Sequence, residues 1–149
     1  MTHSFVRQKT HAAAPTWVQE GLAQWMEGKR VGPNAAALLR IYDAKQAISL
    51  VDLEAPWLKM PNETAGYAYA WALANIEFIV QVDGMTDIER ILDHLREGMP
   101  TEAALKMVLR DDYSDLMDST AQYLRKTYAD YTVDLSGWTV RAALIWNLH

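Results

Sequence analysis

The chain has 149 residues, a hydrophobic fraction of 50% and a net charge of −5, which together predict one acidic globular domain. It contains no cysteine, which excludes disulfides, thiolate zinc clusters and cysteine nucleophiles. It has no basic stripe, so no nucleic-acid partner is expected. No signal peptide is recognisable, and no stretch approaches the roughly 20 apolar residues that span a bilayer. No membrane segment is therefore expected, and the compartment stays unknown.

The first part of the chain is predicted to hold two helices separated by helix breakers. Residues 16–27 have helical periodicity, and Gly28 followed by Gly32-Pro33 ends that helix. Asn34 is a suitable N-cap for a second helix over 35–47. Residues 49–63 contain two prolines and are predicted to be irregular.

The longest apolar run covers residues 65–82, with Glu77 as almost its only charge. A helix that is apolar all round is usually enclosed, so this segment is predicted to be the central buried helix. The residues from Thr86 to Glu89 fit the capping-box pattern and open the next helix. Helices over 101–109 and 113–131 follow, and the fold class is therefore mainly α.

Four aspartates cluster before and within the last predicted helix, at Asp111, Asp112, Asp115 and Asp118. Carboxylates suit the first turns of a helix because they complement its dipole. The alternative, a calcium loop, is disfavoured because the spacing lacks the central glycine and the bidentate glutamate.

The helix predicted at 16–27 has an apolar arc that contains both tryptophans of this segment, Trp17 and Trp25, and also Met26. Glu20 and Glu27 lie on the opposite side, with Gln24 beside them. Periodicity alone therefore predicts that Glu20 is a solvated surface carboxylate.

The residues around Glu20 read Pro-Thr-Trp-Val-Gln-Glu-Gly-Leu-Ala-Gln-Trp. This stretch resembles the second motif of the gluzincin metallopeptidases, particularly the bacterial peptidase-MA-like group, which runs Pro-x-Trp-Leu-x-Glu-Gly-Leu-Ala-x-Tyr. The opening Met-Thr-His-Ser-Phe resembles the end of that family's first motif, His-Glu-x-x-His, without its first histidine and glutamate. The downstream helices occur in the family's order, so the resemblance covers roughly residues 1–131.

The resemblance implies a fold and a zinc site. The fold is the helical C-terminal subdomain of a zincin-like metallopeptidase over residues 1–131, truncated at its N-terminus, with 132–149 as a tail of uncertain structure. A catalytic zinc takes three protein ligands and keeps one position open for water. His3 corresponds to the second ligand and Glu20 to the third. Gly21 is expected to let the two ligand-bearing helices approach closely.

The resemblance also implies a donor to the oxyanion of the substrate, a role that gluzincins often give to a tyrosine or histidine. Tyr67 and Tyr69 are the candidates here, and Tyr67 is the preferred one. The alternative for both is ordinary core packing. The other histidines (His11 in a linker, His94 among helix charges and the terminal His149) are interpreted as non-ligands.

The chain departs from the family pattern because it lacks the first histidine and the glutamate that serves as general base. We therefore expect zinc in an intact parent that acts on peptides or proteins, with weak or absent zinc binding and no hydrolysis by this chain. Related proteins are often bacterial and exported or membrane-tethered. The alternative is a non-catalytic helical interaction module, and homo-oligomers that cover an exposed face suit both interpretations. An unrelated helical adaptor ranks last because it leaves the motif unexplained.

Overall fold

The computed structural model describes residues 13–129, and every structural statement below concerns that range. It is built from α-helices, a 3-10 turn at Gly32–Asn34 and a π-helical turn at Ile79–Asp83, and within residues 13–129 there is no strand. The mainly α fold class is thus confirmed. The helices are α1 (Thr16–Met26), α2 (Ala35–Asp43), α3 (Asn62–Phe78), α4 (Met85–Arg96), α5 (Thr101–Leu109) and α6 (Tyr113–Thr127).

Helix α3 is the centre of the fold, as the sequence predicted. Its residues from Ala70 to Phe78 are all buried. Helix α1 packs along α3 more extensively than any other element, α6 also packs on α3, and α2 packs on α6. Helices α4 and α5 pack on each other, and the π turn that continues α3 contacts α4. None of the helices in the described range combines the length and apolar character needed to cross a membrane.

The helix boundaries differ from the predicted ones in ways that the local backbone explains. Helix α3 begins at Asn62 rather than at residue 65, directly after the extended backbone of Pro61. It changes to π-helical hydrogen bonding at Ile79, and the stretch ends at Gly84, whose φ of 99° favours glycine. Helix α2 ends at Asp43, before Lys45 adopts a left-handed conformation, and not near residue 47.

The predicted N-cap of α4 is wrong, that of α2 is right in position, and the aspartate cluster supplies the N-cap of α6. Helix α4 begins at Met85 with Gly84 at its N-cap, so Thr86 lies inside the helix and no side chain caps it. Asn34 is the N-cap residue of α2, as predicted, although it ends the 3-10 turn and its side chain makes no capping hydrogen bond. Asp112 caps α6 in a capping box with Asp115, which confirms that these carboxylates serve a helix N-terminus.

A polar cluster is buried where α3 meets α6. The Glu77 side chain is only 1% exposed, and its Oε1 accepts a hydrogen bond of 2.8 Å from the backbone N–H of Val31. Its Oε2 accepts hydrogen bonds from the hydroxyls of Tyr123, at 2.8 Å, and Tyr128. A buried carboxylate is tolerated when donors surround it, so this cluster ties α3 both to α6 and to the turn before α2.

Candidate functional site

Helix α1 is the element that carries the motif, and its N-terminus is attached to the irregular segment before α3. The backbone N–H of Thr16 donates to the carbonyl oxygen of Glu54 at 2.9 Å, and that of Trp17 donates to the carbonyl oxygen of Leu53 at 3.1 Å. The first N–H groups of a helix have no partner within the helix. These two bonds therefore satisfy otherwise orphaned donors and fix where α1 begins.

The tryptophan of the motif is a buried anchor. Trp17 is fully buried, and its indole N–H donates to the Tyr113 hydroxyl at 3.2 Å. That hydroxyl donates in turn to the Glu54 carboxylate at 2.6 Å. The two rings pack edge to face with their centroids 6.1 Å apart. One chain of hydrogen bonds thus joins α1, α6 and the irregular segment.

The glycine of the motif is required by the contact between α1 and α3. A Cβ atom built on Gly21 would lie 2.5 Å from the carbonyl oxygen of Ala72 and 2.5 Å from Cγ1 of Ile76. Since the first of these atoms is backbone, no side-chain rearrangement can make room. Within residues 13–129, the close approach that Gly21 permits is therefore to α3. The approach predicted towards the segment of His3 lies outside the described residues.

The polar side of α1 faces the first half of α3 and is less exposed than the helical pattern predicted. Glu20 is half-buried, and Gln24, one turn later, is only 5% exposed. The Gln24 amide N–H donates to the carbonyl oxygen of Tyr69 at 2.9 Å and to that of Glu20 at 3.2 Å. The amide oxygen of Gln24 is buried and has no hydrogen-bond partner. Met26, which was predicted to lie on the apolar arc, is instead exposed.

The two candidate tyrosines lie on different sides of α3, because residues two apart on a helix point about 200° apart. Burial first, and then the negative charge of Glu20, raises the pKa of Tyr69 above its usual value. The Tyr69 ring packs edge to face on Trp57 at a centroid distance of 4.9 Å, which holds it in place. Tyr67 is half-buried and packs against the core. The structure thus couples Tyr69 to Glu20 electrostatically, and the role of Tyr67 stays a prediction.

Comparison with known families identifies the superfamily of the chain. A family model of the peptidase MA superfamily matches residues 1–126. The chain belongs to the peptidase MA superfamily. The match includes all of α1 to α5 and nearly all of α6, so the resemblance drawn from the motif is confirmed at the level of the family. That the chain begins inside a His-Glu-x-x-His motif stays a prediction. No curated protein and no solved structure matches the chain significantly.

The described part of this peptidase MA domain holds one of the two predicted zinc ligands, Glu20. His3, like His11 and His149, lies outside the described residues. His94 is on α4, half-buried, with its Nδ1 3.9 Å from the Glu97 carboxylate. Within residues 13–129, no three side chains of the types that bind metals come together. Since a catalytic zinc takes three protein ligands, residues 13–129 alone do not make a zinc site.

Sequence reasoning missed the residues that position α1 in this peptidase MA domain. Tyr113 is separated from the motif by most of the chain, and Glu54 lies in the irregular segment. No local pattern marks either residue. Gln24 was placed on the solvated side, because a helical wheel cannot show that a neighbouring helix covers a polar residue. The motif itself was the available signal for Trp17, whose indole N–H needs a buried acceptor.

Proposed function

We propose that this peptidase MA domain supplies the third zinc ligand, Glu20, of a metallopeptidase site of the His-Glu-x-x-His type. In this proposal His3 is the second ligand, and the first histidine and the general base are not among the 149 residues. When bound, a catalytic zinc polarises the substrate carbonyl and lowers the pKa of its water. The chain by itself is therefore proposed not to hydrolyse peptide bonds.

The observation that carries the proposal is the way in which α1 is held. Its N-terminus is bonded to the irregular segment, Trp17 is anchored in the core, and Gly21 sits directly against the backbone of α3. Glu20 lies between these last two fixed points and is half-buried rather than enclosed. A metal ligand functions best on a rigid element that still leaves its carboxylate within reach of the ion.

The polar face of α1 also supports the proposal. The buried amide oxygen of Gln24 accepts no hydrogen bond, although buried acceptors usually have a donor. Metal-bound histidines typically donate their second ring N–H to such an oxygen. We propose that a histidine of the zinc site donates a hydrogen bond to this oxygen.

Substrates in this proposal are peptides or proteins, with a tyrosine of α3 as donor to the oxyanion. Tyr69 is a candidate because its phenol lies close enough to feel the charge of Glu20, and its backbone carbonyl accepts a hydrogen bond from Gln24, which is on the same helix as Glu20. Tyr67 stays the candidate preferred from the sequence.

The decisive experiment restores the missing residues. The chain is produced with His-Glu placed directly before Met1, and its zinc affinity is compared with that of the original chain by competition with a chelating dye. We expect the extension to tighten zinc binding at least about 100-fold, since it supplies the missing ligand. Glu20→Gln should remove this gain. Glu27→Gln, an exposed glutamate at the end of the same helix, should keep it.

The opposite outcomes favour the other function. If the extension gains no affinity, or if Glu20→Gln keeps the full gain, Glu20 is not a zinc ligand. A non-catalytic interaction module derived from a peptidase-like domain would then be the better account of the chain.

A further inference from the structure

A cavity of about 510 Å³ lies away from the motif, where the end of α2, the loop after it and α6 meet. Its volume falls in the range of pockets that hold ligands or peptide segments. We call it the α2–α6 groove. Its lining includes the apolar side chains of Ala47, Ile48 and Met117. Its lining does not include α1, so the groove is separate from the proposed zinc site.

The charges on the rim of the α2–α6 groove are largely balanced within the chain. Asp43 forms an ion pair with Arg125, and Asp118 accepts a hydrogen bond from the Tyr42 hydroxyl. Lys45 adds a positive charge to the same rim. Both carboxylates of the lining thus have partners within the chain, and Lys45 offsets part of their charge, so the groove has little net attraction for a charged ligand. The occupant that fits is therefore mainly apolar and carries little charge.

We propose that residues 137–146 of this same chain dock in the α2–α6 groove. This stretch reads Gly-Trp-Thr-Val-Arg-Ala-Ala-Leu-Ile-Trp, which combines large apolar side chains with a single charge, Arg141. Burial of such side chains against the apolar part of the lining is favourable, because it removes apolar surface from water.

The geometry at the end of α6 makes this docking sterically feasible. Tyr128, just after α6, is hydrogen-bonded to the buried Glu77, so the tail leaves the fold from a fixed point. Met117 lies about ten residues, or roughly 15 Å, back along α6 from the helix end. Residues 130–136 span at most about 23 Å when extended, so they can cover that distance. The connecting segment is therefore long enough for residues 137–146 to reach the groove.

Disulfide trapping tests the docking on the full chain, which has no cysteine of its own. The first set combines S49C, on the rim of the groove, with one of T139C, A143C or N147C. The control set combines the same tail variants with L58C, because Leu58 is 94% exposed and does not line the groove. Both sets are oxidised mildly at low protein concentration, and the products are separated on non-reducing gels.

We expect at least one tail position to form an intramolecular disulfide with S49C about fivefold faster or more than with L58C, because docking raises the effective concentration of the thiol pair. Equal rates in the two sets would overturn the proposal. Disulfides that form mainly between molecules, and more so at higher concentration, would also overturn it and assign the groove to a second copy of the chain.

Discussion

Two glutamates of this fold, Glu77 on α3 and Glu20 on α1, have very different surroundings. Glu77 lies between α3 and α6, is 1% exposed, and has donors on both carboxylate oxygens. Glu20 lies on α1, is half-buried, and stands beside the tightest helix contact described, that of Gly21 with α3. Protein donors occupy both oxygens of the first carboxylate, whereas the second belongs to a residue that is only half-buried.

A charged residue that stands alone in an apolar run is therefore not necessarily a functional residue. Glu77 is the more conspicuous residue in the sequence, because it is almost the only charge over residues 65–82. Its three hydrogen bonds explain its presence as a structural link. Glu20 looks ordinary on a helical wheel, and only the residues around it mark it as a candidate ligand.

The largest expected effect comes from breaking the α1–α3 contact with Gly21→Ala. The added methyl group would lie 2.5 Å from a backbone oxygen, so the helices must separate, at a cost of about 3 kcal/mol in the free energy of unfolding. Urea denaturation measures it. Gly28→Ala is the control: it has open space but a φ of 87°, so it costs only about 1 kcal/mol of backbone strain. Equal costs for the two variants would contradict the close-contact account.

Glu77→Gln tests the other side of the comparison. The amide keeps one acceptor but brings two donors into a site that already contains an N–H and two hydroxyls. We expect a loss of about 2 kcal/mol in the free energy of unfolding. Glu63→Gln, an exposed change in the first turn of the same helix, should stay within about 0.5 kcal/mol of the parent. A similarly small effect for Glu77→Gln would mean that the buried cluster is not a structural link.

The buried hydrogen bonds of Glu77 with Tyr123 and Tyr128 also predict how stability changes in alkali. Burial, followed by the hydrogen bond to Glu77, raises the pKa of Tyr123 above its usual value of 10.0. The unfolded chain therefore loses this proton at lower pH than the folded chain, and stability falls as the pH rises beyond about 10. Tyr123→Phe should cost about 1 kcal/mol at pH 8 and make the alkaline decline shallower. An unchanged slope from pH 9 to 11 would exclude this phenol as a cause.

Much of the fold could be predicted because local patterns agree with it. Residues 101–109 were predicted as a helix with the bounds that α5 has, and the buried positions Ile88, Ile91, Leu92 and Leu95 of α4 follow their helical spacing. The enclosed α3 follows from its apolar character on all sides. The family could be recognised because Trp17, Glu20 and Gly21 occur together at a fixed spacing.

The rest depends on contacts between distant residues, which no local pattern contains. The π turn after α3, the burial of Gln24 and the bond between Tyr113 and Glu54 each arise from packing across the fold. The choice between Tyr67 and Tyr69 depends on how α3 is rotated against α1. The predicted ligand His3 and the boundary between a domain at 1–131 and a tail at 132–149 fall wholly or partly outside the described residues and stay predictions.

The central proposal is that Glu20 binds the zinc ion, whereas Glu77 stabilises the fold. The most direct test measures zinc affinity and unfolding free energy together, in the chain extended by His-Glu before Met1, for Glu20→Gln and Glu77→Gln. The account predicts opposite results. Glu20→Gln should lose the zinc affinity but less than about 0.5 kcal/mol of stability, whereas Glu77→Gln should lose about 2 kcal/mol of stability and keep the affinity. Zinc affinity that is unaffected by Glu20→Gln would contradict the account.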